Sequence, residues 1–217
     1  MRLDPEVVFV APVLVLSAVL HECAHGLAAL RLGDSTARDE GRLTLDPFRH
    51  ADAIGMALVP AVLLLFQAPC VIGWARPAPV DRARLRRPVR DHLAVALAGP
   101  AANLLLALAF GLLARLAPGE GPLSALRAAG LAGVAVNAAL VVFHLLPIPP
   151  LDGSWVLMRF LPMRHIIALH HFRIAGLALV ALLVASPVAG GVALAPVRLV
   201  ARGVLALWGV PAAEAGL

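Results

Sequence analysis

Lysine is absent from this 217-residue chain: all eighteen basic residues are arginine, and against thirteen acidic residues they leave a formal net charge of +5. Charged residues make up only 14% of the sequence, against about 25% in an average soluble domain. That is too little to clothe the surface of a soluble domain. Excess arginine in a soluble protein would suggest nucleic acid, but in so apolar a chain it speaks to membrane orientation, and no nucleic-acid partner is expected. Cysteine is nearly lacking too. Cys23 and Cys70 both sit in apolar stretches and offer no disulfide framework. The sequence has no internal repeat and no low-complexity tail.

Apolar residues fill the space: 61% of the chain is hydrophobic and the mean hydropathy is +0.90. Crossing the hydrocarbon layer as a helix takes about 20 such residues. Val7–Leu30, Ile54–Trp74, Leu93–Leu116 and Leu131–Leu146 approach that length, and further spans are expected near Ile174–Ala185 and Val188–Trp208, with Ser186–Gly191 as their turn. The first run has the outline of a signal peptide but continues without a cleavage site, so it is read as retained. The expected fold is all-α: a polytopic transmembrane helical bundle of about five to six membrane segments, with a short cytoplasmic-side loop/β region. Residues 1–217 form a single membrane-embedded domain in this reading.

Polar residues interrupt that background in one place above all. In "HECAHG", His21 and His25 are four apart, about 40° around a helix and roughly 6 Å along it, so both imidazoles can reach one metal ion. His-Glu-x-x-His is the zinc metallopeptidase pattern, in which two imidazoles hold Zn²⁺ and the glutamate, here Glu22, accepts a proton from the attacking water. In a soluble helix the same residues could be merely a satisfied polar face. Each ionisable group at membrane depth costs on the order of 2.5–3.5 kcal/mol on insertion scales, so three together call for a compensating partner. A metal is one. Cys23 points about 100° or more away from each histidine and reads as a packed small side chain.

Catalytic zinc takes three protein ligands and keeps one position open. The third is expected in "FHLLPIPPLDG", where Pro147, Pro149 and Pro150 forbid a regular helix and Asp152 and Gly153 follow. Irregular backbone at membrane depth is tolerated only inside protein or along a wet cavity. Asp152 as a simple N-cap of the next helix is the other reading.

Taken together, "HECAHG", "GRLTLDPFRHADAIG" (Gly41–Gly55), "GWARPAPVD" (Gly73–Asp81), "ALAGPAANLLLA" (Ala96–Ala107) and "LLPIPPLDG" (Leu145–Gly153) resemble the site-2 protease group of intramembrane zinc metalloproteases. The motifs stand in that family's order, in a family-like core of about residues 7–158, and the likeness is closest to the compact bacterial and archaeal branch without a PDZ domain. C-terminal helices at about 165–210 would be additional. The resemblance implies one Zn²⁺ per chain held by His21, His25 and Asp152, with Glu22 as general base. Gly99, Pro100 and Asn103 match a "GPxxN" packing helix, and Pro147, Pro149 and Gly153 complete the structural motif. His144 stands where the family has an asparagine thought to hold the substrate carbonyl or its oxyanion; an imidazole can still donate one hydrogen bond. Asn103 and Asn137 are further candidates for that polar role, although for Asn137 a packed interhelical hydrogen bond is the favoured reading. Asp46, in place of a usual asparagine, is expected to be structural.

The histidines lie near the C-terminal end of the first span and Asp152 just past that of the segment from Leu131. Sharing one metal requires both ends on one side of the membrane, hence an even number of crossings between them. Ile54–Trp74, with Pro60 and Pro69, is therefore expected to bend or re-enter rather than cross. Six arginines in Arg76–Arg90 and four in Arg31–Arg49 place that side in the cytoplasm. Arg164–Arg173, with three histidines, reads as an interfacial turn rather than a second metal site.

The expected activity is zinc-dependent endopeptidase cleavage of transmembrane segments, as in regulated intramembrane proteolysis, by a multi-pass protein of a prokaryotic plasma membrane with its active site toward the cytoplasm. Its partners would be a transmembrane protein or peptide substrate and the lipid bilayer, with oligomeric state left open. A protease-like binding protein and a metal transporter are the alternatives; Glu22→Gln separates them, since it should spare metal and abolish proteolysis.

Overall fold

The computed structural model describes residues 5–58, 74–162 and 186–216, with isolated positions between them. Six α-helices among these residues carry the site and its scaffold: α1 (Pro5–Arg31), α2 (Thr36–Asp39), α3 (Pro88–Leu116), α4 (Ser124–His144), α5 (Asp152–Met158) and α6 (Pro187–Leu207). α3 packs along α4, α1 lies against both, and α6 covers the far side of α4. Three helices are long and apolar enough to cross a membrane: Phe9–Arg31 within α1, Pro88–Leu116 and Ser124–His144.

These helices differ from the sequence expectation mainly at their starts. α3 begins at Pro88, five residues before the apolar run, because proline at the first helical turn gives up only an N–H that would be unpaired anyway. α4 begins at Ser124 because Ala125, Ala128 and Ala129 are strong helix formers although only weakly apolar. It stops at His144, three residues before Pro147. Most of Ile54–Trp74 lies outside the described residues beyond a π-type turn at Ile54–Leu58, as do Cys70, the expected span at Ile174–Ala185 and most of Arg164–Arg173.

No strand occurs among the described residues, which corrects the expected β region on the loop side. Residues 74–80 form no regular element: Pro77 and Pro79 lack the N–H a ladder needs, and side chains hold the segment together with backbone bonds from Trp74 N to Gly55 O and Arg76 N to His50 O. Arg42 Nη2 donates to Arg76 O at 2.7 Å and Pro77 O at 3.3 Å, and Asp34 Oδ2 accepts from Asp81 N at 2.7 Å. Burial works to raise the Asp34 pKa, but hydrogen bonds from the Thr36 hydroxyl, the Thr36 N–H and the Asp81 N–H win and hold it below the usual carboxylate range. Asp46 is structural, its Oδ1 accepting from Phe48 N at 3.0 Å to cap a 3₁₀ turn.

Polarity is inverted relative to a water-soluble bundle. Ser17, Asn103 and Asn137 are fully buried, while Leu14, Leu16, Leu97, Leu104 and Leu105 face outward. Between α3, α4 and α6 the core combines alanines, Ala107, Ala114, Ala138 and Ala201, with larger residues such as Leu131, Val134, Val204 and Leu205, the alanines allowing the close backbone approach found at helix contacts in lipid.

Candidate metal centre

The site grows from three polar stripes on three apolar helices. On α1, Ser17, His21 and His25 recur every four residues and so share one face; on α3, Val95, Gly99 and Asn103 do the same. Asn137 lies on α4, seven residues before His144. The stripes face one another. Asn103 Oδ1 pairs with His21 Nδ1, and Asn103 Nδ2 donates to Asn137 Oδ1 at 2.9 Å and lies 3.5 Å from Ser17 O. Asn137 Nδ2 donates to Ser17 Oγ and to Gly133 O, each at 2.9 Å. Asn103 and Asn137 are thus sealed behind His21, with 0% exposure, and neither borders the site's cavity. The structure places both amides in interhelical hydrogen bonds, the reading the sequence favours for Asn137, and Asn137 adds a bond to Gly133 O on its own helix.

That network decides how the histidines point. Asn103 spends its amide N–H groups on acceptors, so its oxygen faces His21, and an oxygen can only accept: His21 Nδ1 carries the proton. His25 Nδ1 donates to the Val95 carbonyl at 2.7 Å, which fixes its tautomer in the same way. The two Nε2 atoms then present lone pairs. They lie 3.0 Å apart, and Asp152 Oδ2 is 3.1 Å from His21 Nε2 and 3.3 Å from His25 Nε2. Three acceptor atoms, one anionic, converge on one point, with His144 Nδ1 beside the Asp152 oxygen. A cation there would relieve the arrangement. Tetrahedral neighbours around a zinc ion with bonds of about 2.0–2.1 Å lie roughly 3.3 Å apart, which these separations match.

Local sequence permits the approach. A methyl group at Gly99 would lie 2.6 Å from His21 Nε2, so only glycine lets the α3 backbone pass this close to both imidazoles. Pro100 next to it has no N–H, which leaves the Ala96 carbonyl without its helical partner on the wall of the cavity. Pro147, Pro149 and Pro150, the last two joined by a cis bond, turn the chain from the end of α4 into α5, whose first residue is Asp152. A side chain at Gly153 would run into the Leu145 and Leu146 carbonyls.

His144 joins the donors. Its Nδ1 is 2.9 Å from Asp152 Oδ2, its ring centroid is 4.2 Å from that of His21, and His21, His144 and Asp152 offer ligand atoms all within 4.8 Å of one another. Glu22 borders the same cavity, about 730 Å³ in volume, and its Oε2 accepts from Ala78 N at 2.7 Å. Sequence reasoning passed over Ser17, Asp34, Arg42 and Val95. Ser17 was findable as a lone hydroxyl four residues before His21 in an apolar run; the other three carry no such mark.

Part of this chain is similar in sequence to several zinc metalloproteases. "Putative zinc metalloprotease YwhC" of Bacillus subtilis is 37% identical over 155 residues, which cover 69% of this chain and 67% of that protein. "Putative zinc metalloprotease Rip2" of Mycobacterium tuberculosis is 36% identical over 140 residues, 64% of this chain and 52% of that protein, and its namesake in Mycolicibacterium smegmatis is 32% identical over 140. The matched segment spans about half the length of the Rip2 proteins. No family model and no solved structure matches the chain.

Proposed function

The chain belongs to the site-2 protease family of zinc metalloproteases, and from that premise we propose that it is a zinc-dependent endopeptidase, embedded in the membrane by several spans, that cleaves transmembrane segments of other proteins. One observation carries this reading: His21, His25 and Asp152 converge at 3.0–3.3 Å beside Glu22, in a cavity framed by membrane-length helices. In it His21, His25 and Asp152 hold the ion, and zinc, when bound, supplies a Lewis acid for the scissile carbonyl and its attacking water.

The remaining work falls to the chain's own groups. Glu22, at the cavity edge, accepts the proton of the attacking water and returns it to the leaving amine. Asn103 and the Val95 carbonyl keep both imidazoles in the ligating tautomer. A substrate helix has its amides paired internally and must unwind before attack. The irregular 74–80 segment and the Pro147–Pro150 turn offer the unwound strand a place to lie. The arginine-bearing loops put this end of the bundle on the cytoplasmic side.

The test is cleavage of a panel of single-span substrates by purified protein. Activity should vanish with a chelator, return with zinc, and be lost in Asp152→Ala. A folded, zinc-loaded wild type that cleaves nothing would favour a protease-like binding protein.

A further inference from the structure

The same cavity holds a second group of side chains that the metal centre does not use. The Arg82 guanidinium lies 4.5 Å from the centroid of the Trp155 ring, Arg82 Nη2 donates to His92 Nδ1 at 2.9 Å, and the His92 ring meets Trp155 edge-on at 4.7 Å. All three line the cavity. Because His92 Nδ1 accepts this bond, it carries no proton and the imidazole is neutral. The only charge of the cluster is then that of the guanidinium.

Sequence spacing ties each member to the reacting centre. Trp155 follows Asp152 by three residues on α5, His92 precedes Val95 by three on α3, and Arg82 follows Ala78, the Glu22 partner, by four. Three residues on a helix are about one turn, roughly 5 Å of rise. Arg82 therefore shares one cavity with Glu22, His25 and Asp152, on the segment that also pairs with Glu22. No Asp or Glu pairs with it among the described residues, although Asp81 pairs with its neighbour Arg84 at 3.3 Å. A guanidinium offers five N–H donors in a flat fork that matches a carboxylate, and stacking on an indole fixes its plane while leaving the edge open.

We infer that Arg82, braced by His92 and Trp155, is a subsite for a carboxylate of the substrate chain close to the bond being cut. The inference rests on the peptidase reading for its substrate class. The carboxylate can come from an Asp or Glu side chain or from a free C-terminus. A lipid phosphate would have equal claim on Arg84, Arg86 and Arg87 in the same loop; Arg82, though exposed, is the one of the four that lines the cavity and stacks on an indole there.

The experiment measures binding of single-span peptides to zinc-loaded Glu22→Gln protein in neutral detergent, alongside cleavage by wild type. Glutamate is scanned against glutamine along each peptide, and the C-terminus is either free or amidated. One position should bind about tenfold tighter as Glu than as Gln, the size of a charged hydrogen-bond pair. The preference should collapse toward unity in Arg82→Gln, turn toward lysine in Arg82→Glu, and fall between in Arg82→Lys, which keeps the charge but not the fork. If only amidation weakens binding, the C-terminus is the carboxylate and the subsite stands. An unchanged Glu preference in Arg82→Gln, no preference anywhere, or binding that follows added phosphatidylglycerol regardless of peptide charge overturns the subsite. Arg82-dependent binding with no cleavage by wild type would sink the peptidase reading and leave the subsite intact.

Discussion

At the scale of the residue, the metal centre depends on atoms that never touch a metal. Asn103 holds the His21 tautomer, and losing such an outer partner typically costs about 10–100-fold in metal affinity. Asn103→Ala should show that loss in a chelator competition while Gly99→Ala, whose methyl falls between the two imidazoles, should bind no stoichiometric zinc. Wild-type affinity in Asn103→Ala would contradict the tautomer argument. His144 is a different case: His144→Ala should weaken zinc about tenfold by removing a partner of Asp152, whereas His25→Ala should remove zinc altogether. Equal losses in the two would make His144 a full ligand. Much of this was legible in the sequence for His21, Glu22 and His25, because helical periodicity alone sets their relative geometry. The inward placement of Asn103 and Asn137 was not, because it depends on which faces of α3 and α4 meet α1.

At the scale of the element, the 74–81 segment decides the shape of the cavity, and three side chains far away in sequence hold it: Glu22, Asp34 and Arg42. The partners of this segment were not legible in the sequence, because they depend on tertiary contacts, and no ladder forms among the described residues where a β region was expected. Asp34 gives a prediction with a sign. Its folded pKa is depressed, so its contribution to stability is present above the ordinary Asp value of 3.8 and is lost as pH falls through the folded value. Asp34→Asn should lower the unfolding midpoint at pH 7 by an amount that shrinks in acid, and limited proteolysis should open the chain between residues 74 and 86. Breaking hydrogen bonds to a buried carboxylate costs about 1–3 kcal/mol. A pH-independent difference would mean that Asp34 acts through packing.

At the scale of the whole molecule, three membrane-length helices put their polar faces inward and their leucines outward, and two ends of the bundle differ in arginine. The orientation proposed from that asymmetry predicts that Gly119→Cys is labelled by an impermeant thiol reagent from outside intact cells, while Arg84→Cys reacts only after permeabilisation. The reverse pattern would turn the bundle over without disturbing the site. The family relationship and the convergent donors meet in one claim, that Glu22 does chemistry at an ion held by His21, His25 and Asp152. The most direct test is the cleavage rate of Glu22→Gln against wild type at equal zinc occupancy. A positioned general base contributes roughly 10²–10⁴-fold, so the variant should keep its zinc and lose activity by about that factor. Equal rates at equal zinc would contradict the account.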